Sequence, residues 1–109
     1  MAVTRGEVWT VSGGVYANKP RPAVIIQSDR FSETAAITLV PCTSDPIEAP
    51  LFRLDLLPDS GNGLRFPCRL MEDKITTVPR SNLGQRVGRL SDDDLVRLNR
   101  AAVVFLGLV

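Results

Sequence analysis

Two prolines enclose one arginine, as Pro20-Arg21-Pro22, directly before the apolar run of residues 23–27. Each proline fixes its own φ at about −65° and biases the residue before it toward an extended backbone. The short apolar run is typical of a core strand. The segment therefore predicts a buried strand whose entrance holds the Arg21 guanidinium on a stiff arm, as a site for phosphate or carboxylate oxygens requires. An ordinary surface arginine at a strand entrance is the alternative.

The length of 109 residues predicts one domain, residues 1–109, with a core of its own. Its 44% apolar and 23% charged residues match an average soluble globular protein, so we expect the whole chain to fold. No apolar run approaches the length of about twenty residues that spans a bilayer, and the N-terminus lacks a signal-peptide core. We expect a cytoplasmic protein with no membrane segment.

Short segments of β type, separated by glycine and proline, predict an antiparallel, curled sheet. The predicted strands are residues 5–11, 23–27, 35–42, 51–56, 66–71, 75–78 and 86–90. A helix follows, with Ser91 as its N-cap, Asp94 three residues later, and Leu95, Leu98, Ala102 and Phe105 on one face. The predicted fold class is mainly β with a C-terminal α-helix, arranged as a small barrel. Its remaining sheet edges favour a dimer.

The chain has no histidine, and its two cysteines, Cys42 and Cys68, lack the spacing of a metal site. We therefore expect no metal and no cofactor. The missing histidine also excludes Ser/His/Asp and Cys/His nucleophilic schemes.

The net charge of +1 does not by itself indicate a nucleic-acid binder, so an anion site must come from local clustering. Acidic residues gather at positions 92–94, whereas the middle of the chain carries arginines without a matching acidic block. A one-sided basic surface is consistent with this distribution.

Three motifs carry a family resemblance: RGEVW at residues 5–9, RPAVIIQSD at residues 21–29 and VPCTS at residues 40–44, all ahead of the closing helix. In this order and spacing the chain resembles the MazF/PemK (Kid) toxins of bacterial toxin and antitoxin pairs. The resemblance implies an SH3-like barrel, a homodimer, a cognate antitoxin, and a metal-independent endoribonuclease that cuts single-stranded RNA at a short sequence. It also implies catalytic roles for Arg21 and Thr43.

Metal-free RNA cleavage by attack of the 2′-hydroxyl on its own phosphate concentrates negative charge on the phosphoryl oxygens. It leaves a 2′,3′-cyclic phosphate and a 5′-hydroxyl end. An arginine fork stabilises that charge, and the hydroxyls of Thr43 and Ser44 can donate to the same oxygens. Arg21 is expected to act electrostatically, because its unperturbed pKa of above about 12 makes it a poor proton donor. A turn threonine bonded to its own backbone is the alternative for Thr43.

The chain departs from the family where Leu70 stands at the position of an additional arginine. Arg69 lies one residue away and would need a bulge to reach the same face. Glu72 falls at the family's acidic position, where it is a candidate general base or, alternatively, a solvated carboxylate in a turn. The candidate RNA-binding residues are Asn18, Lys19, Ser44, Arg53 and Arg69. Tyr16 and Phe52 are the expected base-stacking aromatics.

Two other functions remain open at this point. A gyrase poison resembling CcdB would share the fold, but it relies on a tryptophan near the C-terminus, and the sole tryptophan here is Trp9. A barrel that binds RNA or peptide without cutting is the third reading, and it holds if Arg21 and Thr43 lie too far apart to share a phosphate.

Overall fold

The structure is a computed structural model that describes residues 2–13, 17–45 and 52–109, without the side chains of Ala17 and Asn18. Seven strands and one α-helix lie in these ranges. They are β1 (Glu7–Gly13), β2 (Ala17–Ile25), β3 (Ala36–Thr43), β4 (Arg53–Leu56), β5 (Cys68–Met71), β6 (Thr76–Pro79), β7 (Leu83–Arg89) and α1 (Asp92–Phe105). Short 3₁₀ helices occupy Asp29–Phe31, Glu72–Lys74 and Arg80–Asn82.

The strands pair antiparallel in the order β4-β5-β3-β2-β1-β7, and β6 also pairs with β3. One edge of β3 pairs with β2, while the other edge pairs first with β6 and then, at Cys42 and Thr43, with β5. Because β3 serves two groups of strands, the sheet bends around it. The predicted class of mainly β with a C-terminal helix is confirmed.

The central strands are buried on both faces, which explains why their sequences are continuously apolar rather than alternating. Successive residues feed two separate cores: Trp9, Ala23 and Leu39 enter one, whereas Val24 and Val40 enter the other. The helix covers the second core through Leu98, which is fully buried. Residues 23–26 therefore could be recognised as core strand from their composition alone.

The second strand begins earlier than predicted, at Ala17 rather than Ala23, so Pro20 and Pro22 lie within β2 and not before it. The strand accommodates these two prolines for a physical reason. The pairing of β2 with β3 covers only Ala23–Ile25, and over the preceding residues β2 pairs with β1 alone. A proline lacks the N–H donor and is accepted where one strand edge has no partner.

The helix begins as predicted: the Ser91 hydroxyl accepts a hydrogen bond of 3.1 Å from the Asp94 backbone N–H. Its first turn carries three aspartates, which the helix dipole favours at this end. Along the predicted apolar face Leu98 and Ala102 are buried, whereas Phe105 at its end is 45% exposed and lies beside Phe52, with ring centroids 6.0 Å apart. Among the residues described, no helix is both long and apolar enough to cross a membrane.

Strand boundaries shift by a few residues elsewhere. The fifth strand starts at Cys68 rather than Phe66, because Pro67 cannot donate to the ladder. The last strand starts at Leu83 rather than Arg86. The residues between the predicted strands 66–71 and 75–78 form the 3₁₀ helix Glu72–Lys74. These shifts leave residues 57–67 as a loop between β4 and β5.

Candidate functional site

An open cleft of about 1250 Å³ lies where four parts of the chain meet: β2, the end of β3, the loop before β5, and the segment around β6. Arg21, Thr43 and Ser44 all line it. The cleft therefore joins residues that are more than twenty positions apart in sequence. It is the larger of two neighbouring depressions, and Thr43 and Ser44 line both of them.

The strand register explains how Arg21 and Thr43 come together. Ala23 pairs with Pro41 in the antiparallel ladder of β2 and β3. Arg21 lies two residues before Ala23 and Thr43 two residues after Pro41, so the two strands carry both residues to the same end of the ladder, where both line the cleft. The prolines beside Arg21 keep this part of β2 extended, so the guanidinium projects from a strand and not from a loop.

The Thr43 hydroxyl is fixed by the turn that follows it. Its oxygen accepts a hydrogen bond of 3.1 Å from the Asp45 backbone N–H. Because that bond uses a lone pair and not the hydroxyl hydrogen, the hydrogen is left to donate elsewhere. The backbone bond expected of an ordinary turn threonine is therefore present, and it is compatible with donation to a phosphoryl oxygen in the cleft.

The charge of the cleft is entirely of one sign. Among its described lining residues are four cations and no Asp or Glu: Lys19, Arg21, Arg65 and Lys74. The side chains of the first three form no hydrogen bond or ion pair with any other described residue. Unpaired cations around a concave surface raise the local concentration of a polyanion.

Arg53, a candidate RNA contact, lies outside the cleft. Its guanidinium forms a two-point contact with Asp73, with both N···O distances at 3.0 Å, and its side chain is only 10% exposed. The Asp73 partner raises the pKa of Arg53, and Arg53 lowers the pKa of Asp73. The arrangement fits a structural role for Arg53 rather than RNA contact.

Arg69 lies directly beside Thr43, its cross-strand partner in β5. Arg69 reaches this position without a bulge, since the pairing of β4 with β5 is regular from Cys68 to Met71. The guanidinium is held at 2.8 Å by the Asp55 carboxylate and at 2.8 Å by the Asp45 carbonyl oxygen. Arg69 thus braces the turn that carries Thr43, while Leu70, on the opposite face, is buried in the core.

Glu72 does not join Arg21 and Thr43. It is fully buried, and within the described part of the chain its carboxylate oxygens have no hydrogen-bond partner. Its 3₁₀ helix packs against β3, β4 and α1. Burial raises the pKa of Glu72 to about 7, and the charge of Arg5 opposes that rise. The expectation of a solvated carboxylate is wrong, and this placement gives no support to a general base acting in the cleft.

Cys42 and Cys68 are free thiols that lie next to each other at the cleft wall. Interaction with Cys68, together with burial, raises the pKa of Cys42. In the part of the chain that the structure describes, no group of three or more His, Cys, Asp or Glu side chains is placed to hold a metal ion.

Sequence reasoning missed three cleft residues and named two that cannot be placed. Phe66 and Lys74 line the cleft, although the sequence predicts a strand at Phe66 and gives Lys74 no role. Arg65 lines it too, but no feature of the sequence separates it from the other arginines in the middle of the chain. Pro67 was the available signal, because a proline there ends strand pairing before Phe66. The side chain of Asn18 and the whole of Tyr16 lie outside the described residues.

Comparison with known proteins identifies the family. A family model described as PemK-like, MazF-like toxin of type II toxin-antitoxin system matches residues 4–106. The chain belongs to this family. A curated relative from Mycolicibacterium smegmatis, named "Probable endoribonuclease MazF", is 50% identical over 105 residues, which is 95% of this chain and 96% of the relative.

Two further relatives agree. "Endoribonuclease MazF9" of Mycobacterium tuberculosis is 33% identical over 114 residues, covering 95% of this chain and 96% of that protein. A solved structure titled "Endoribonuclease in complex with its cognate antitoxin from Mycobacterial species" superposes with a TM-score of 0.78 at 23% identity, over 97% of this chain and 94% of that one. This last likeness shows that the fold is shared.

Proposed function

We propose that this chain acts, as a single domain of residues 1–109, as the endoribonuclease toxin of a type II toxin and antitoxin pair. It cleaves single-stranded RNA without a metal ion and so inhibits translation. The observation that carries the proposal is the meeting of Arg21 and Thr43 at one cleft lined by four cations and no described acid. Membership of the toxin family and the name of the 50% identical relative support the same activity.

In the proposed mechanism the scissile phosphate lies between Arg21 and Thr43. The 2′-hydroxyl gives its proton to water as it attacks the adjacent phosphorus. The bond from phosphorus to the 5′-oxygen breaks, and the 5′-oxygen takes a proton from water. The products are a 2′,3′-cyclic phosphate and a 5′-hydroxyl end. Arg21 stabilises the negative charge that accumulates on the phosphoryl oxygens, and the Thr43 hydroxyl donates to one of them. Lys19 and Arg65 hold phosphates on either side, and Ser44 offers a second hydroxyl.

Arg69 has a supporting role in this scheme. Its bonds to Asp55 and to the Asp45 carbonyl keep the turn after β3 in one conformation, which fixes the Thr43 hydroxyl. Binding of RNA to Arg69 would compete with those bonds, so we assign Arg69 to positioning rather than to RNA contact. Glu72 and Arg53 have no step in the mechanism.

Product mapping tests the proposal. Purified protein is incubated with mixed-sequence RNA in EDTA, and the new ends are analysed. We expect 5′-hydroxyl and 2′,3′-cyclic phosphate ends at a short recurring sequence, lost in Arg21→Ala and in Thr43→Val, which has nearly the same shape without the hydroxyl. Intact RNA at high protein concentration would leave only a binding function, and cleavage that depends on added Mg²⁺ would contradict the mechanism.

We further propose two protein partners and a compartment. One partner is a second copy of the chain, which forms the expected homodimer. The other is a cognate antitoxin, whose acidic segment would bind the basic cleft and inhibit cleavage. The family description itself names a toxin and antitoxin system. Single-stranded RNA is the expected substrate, so we propose the cytoplasm as the compartment. Co-purification of a short acidic chain that blocks cleavage would support the antitoxin.

A further inference from the structure

Phe66 is an exposed aromatic residue in a cleft that four cations also line. Its ring is 73% exposed, and it lines the same cleft as Arg21 and Thr43. A large apolar side chain held in water forgoes the free energy of burial, about 25 cal/mol for each Å². Single exposed apolar residues are ordinary on protein surfaces, so the place of this ring inside the cleft, and not its exposure alone, is the observation that carries weight.

The loop that carries Phe66 is held in place by several hydrogen bonds, so the folded structure itself keeps the Phe66 ring exposed. Asn62 is fully buried in that loop and donates to the Leu57 carbonyl oxygen at 2.9 Å. Its side-chain oxygen accepts from the N–H groups of Asp59 and Leu64, at 3.2 and 3.0 Å. The Asp59 carboxylate in turn accepts from the backbone N–H groups of Gly61 and Asn62, both at 2.8 Å. These bonds tie residues 57–64 into one unit.

The same unit is fixed against β7. The Arg89 N–H donates to the Gly61 carbonyl oxygen at 2.9 Å. Gly63 has a φ of +72°, and a Cβ at this position would collide with the Val87 carbonyl oxygen. The loop can therefore approach β7 this closely only with glycine. On its other side, Pro67 restrains the backbone of Phe66 to extended conformations.

We propose that Phe66 is a stacking platform for one unpaired base of the RNA substrate. The inference rests on the proposed function and deepens it by naming a residue that holds a base rather than a phosphate. Phe66 is next to Arg65, whose guanidinium has no partner among the described residues. A flat ring beside an unpaired cation is the combination with which proteins bind single strands, the ring taking the base and the cation its phosphate.

A base is favoured over a side chain from a second copy of this protein as the occupant because of the charge around the ring. Lys19, Arg21, Arg65 and Lys74 surround the cleft, and no described lining residue opposes them. A second copy of this chain would bring its own cations into that field. Single-stranded RNA supplies a negative charge with every nucleotide, together with an unstacked base.

The test measures affinity for a short, fluorescein-labelled, mixed-sequence 2′-O-methyl oligoribonucleotide, which lacks the attacking hydroxyl and cannot be cut. The variants are Phe66→Ala, Phe66→Trp and the control Phe31→Ala, whose ring is 58% exposed but lies outside the cleft. Because stacking contributes about 1–3 kcal/mol per base, Phe66→Ala should raise Kd by about 5- to 100-fold. Phe66→Trp should restore binding, and Phe31→Ala should leave Kd unchanged.

A second measurement assigns the effect to a base. Oligonucleotides with one abasic position, moved step by step along the strand, are bound to the wild type and to Phe66→Ala. At one position, removing the base should weaken binding to the wild type. The same removal should cause no further loss of affinity in Phe66→Ala, which already lacks the ring. Equal losses in both proteins at every position would overturn the stacking role, as would wild-type affinity in Phe66→Ala.

The remaining outcomes separate this inference from the proposed function. If the wild type cuts RNA and Phe66→Ala binds as tightly as the wild type, only the inference fails. If the wild type neither binds the oligonucleotide nor cuts RNA, both fail. A fall in self-association of Phe66→Ala by sedimentation, with RNA affinity unchanged, would show that the ring serves a second copy and would also overturn the proposal.

Discussion

Two regions of this protein use arginine in different ways. Around the 3₁₀ helix after β5, Arg53 is mostly buried and is paired with Asp73 through two nitrogens. In the cleft, Arg21 and Arg65 lack partners among the described residues and reach into solvent. In the first region the arginine charge stabilises the fold through an ion pair, and in the second it stays available to an anionic ligand.

The difference shows why counting basic residues along the sequence identifies a binding surface poorly. A buried guanidinium must have a carboxylate beside it, because an unpaired buried charge is strongly destabilising. An exposed guanidinium has no such need and keeps its hydration until an anion arrives. Only the pattern of pairing separates the two groups, and that pattern depends on strands that are distant in sequence.

The largest effect should come from Arg21→Ala compared with Arg53→Ala. Losing one group that stabilises charge in a transition state lowers the rate by about 10²- to 10³-fold. We expect that loss in kcat/KM for Arg21→Ala with an unchanged free energy of unfolding. Arg53→Ala should keep kcat/KM per folded molecule. Arg100→Ala, on the exposed face of α1, is the control, and an equal loss in it would remove the distinction between the two regions.

The next effect is a pH dependence of stability carried by Glu72. Its pKa of about 7 in the folded protein lies above the ordinary 4.5, so between these values the folded state holds a proton that the unfolded state has lost. Stability should therefore fall as pH rises from about 4.5 to about 7, by about 3 kcal/mol in all.

Glu72→Gln keeps the shape of the side chain and removes its titration. Urea unfolding at about pH 5 and about pH 8 should show this fall in the wild type and little of it in Glu72→Gln. The variant should thus be more stable than the wild type at the higher pH. An identical pH slope in the two proteins would mean that other groups carry the dependence.

A smaller loss of stability is expected from breaking the Arg53 pair. Arg53→Met leaves the Asp73 carboxylate without its partner, and since the Asp73 side chain is 24% exposed, water compensates part of the loss. We expect about 1–2 kcal/mol in the free energy of unfolding, below the 3–5 kcal/mol of a fully buried pair. The double variant with Asp73→Asn should recover part of it. No recovery would show that packing of the arginine stem, and not the pair, matters.

The smallest effects belong to single cations of the cleft. Lys19→Ala and Lys74→Ala should each weaken RNA binding uniformly across sequences and reduce the slope of log K against log salt by about 0.7. Titrations of the uncleavable oligonucleotide at several salt concentrations measure both quantities. Arg97→Ala is the matched control, because Arg97 is half-exposed and paired with Asp94 outside the cleft. A change of the salt slope in Arg97→Ala would show that cations outside the cleft also contact the RNA.

Local signals in the sequence predicted the elements well. The Ser91 cap and the apolar runs of the central strands depend on neighbours in sequence. The prolines on either side of Arg21 single it out before any resemblance is considered, whereas Thr43 is singled out by the family resemblance. Both residues line one cleft. The predicted strand at Phe66 failed because the effect of Pro67 on pairing was overlooked.

Other features depend on contacts that no local pattern carries. Glu72 lies in a charged triplet that is typical of a solvated turn, yet the packing of α1 over its 3₁₀ helix buries it. The pairing of Arg53 with Asp73 joins positions twenty residues apart. Asp55 holds Arg69 because β4 and β5 align them directly across the ladder.

The prolines within β2 also govern how this molecule can meet another chain. Prolines at alternate positions place their nitrogens on the same side of a strand, and neither carries a hydrogen to give. An incoming peptide would therefore receive no backbone N–H bond from Pro20 or Pro22. The missing donors disfavour edge-to-edge pairing along the strand that presents Arg21, while its side chain stays open to a nucleic acid.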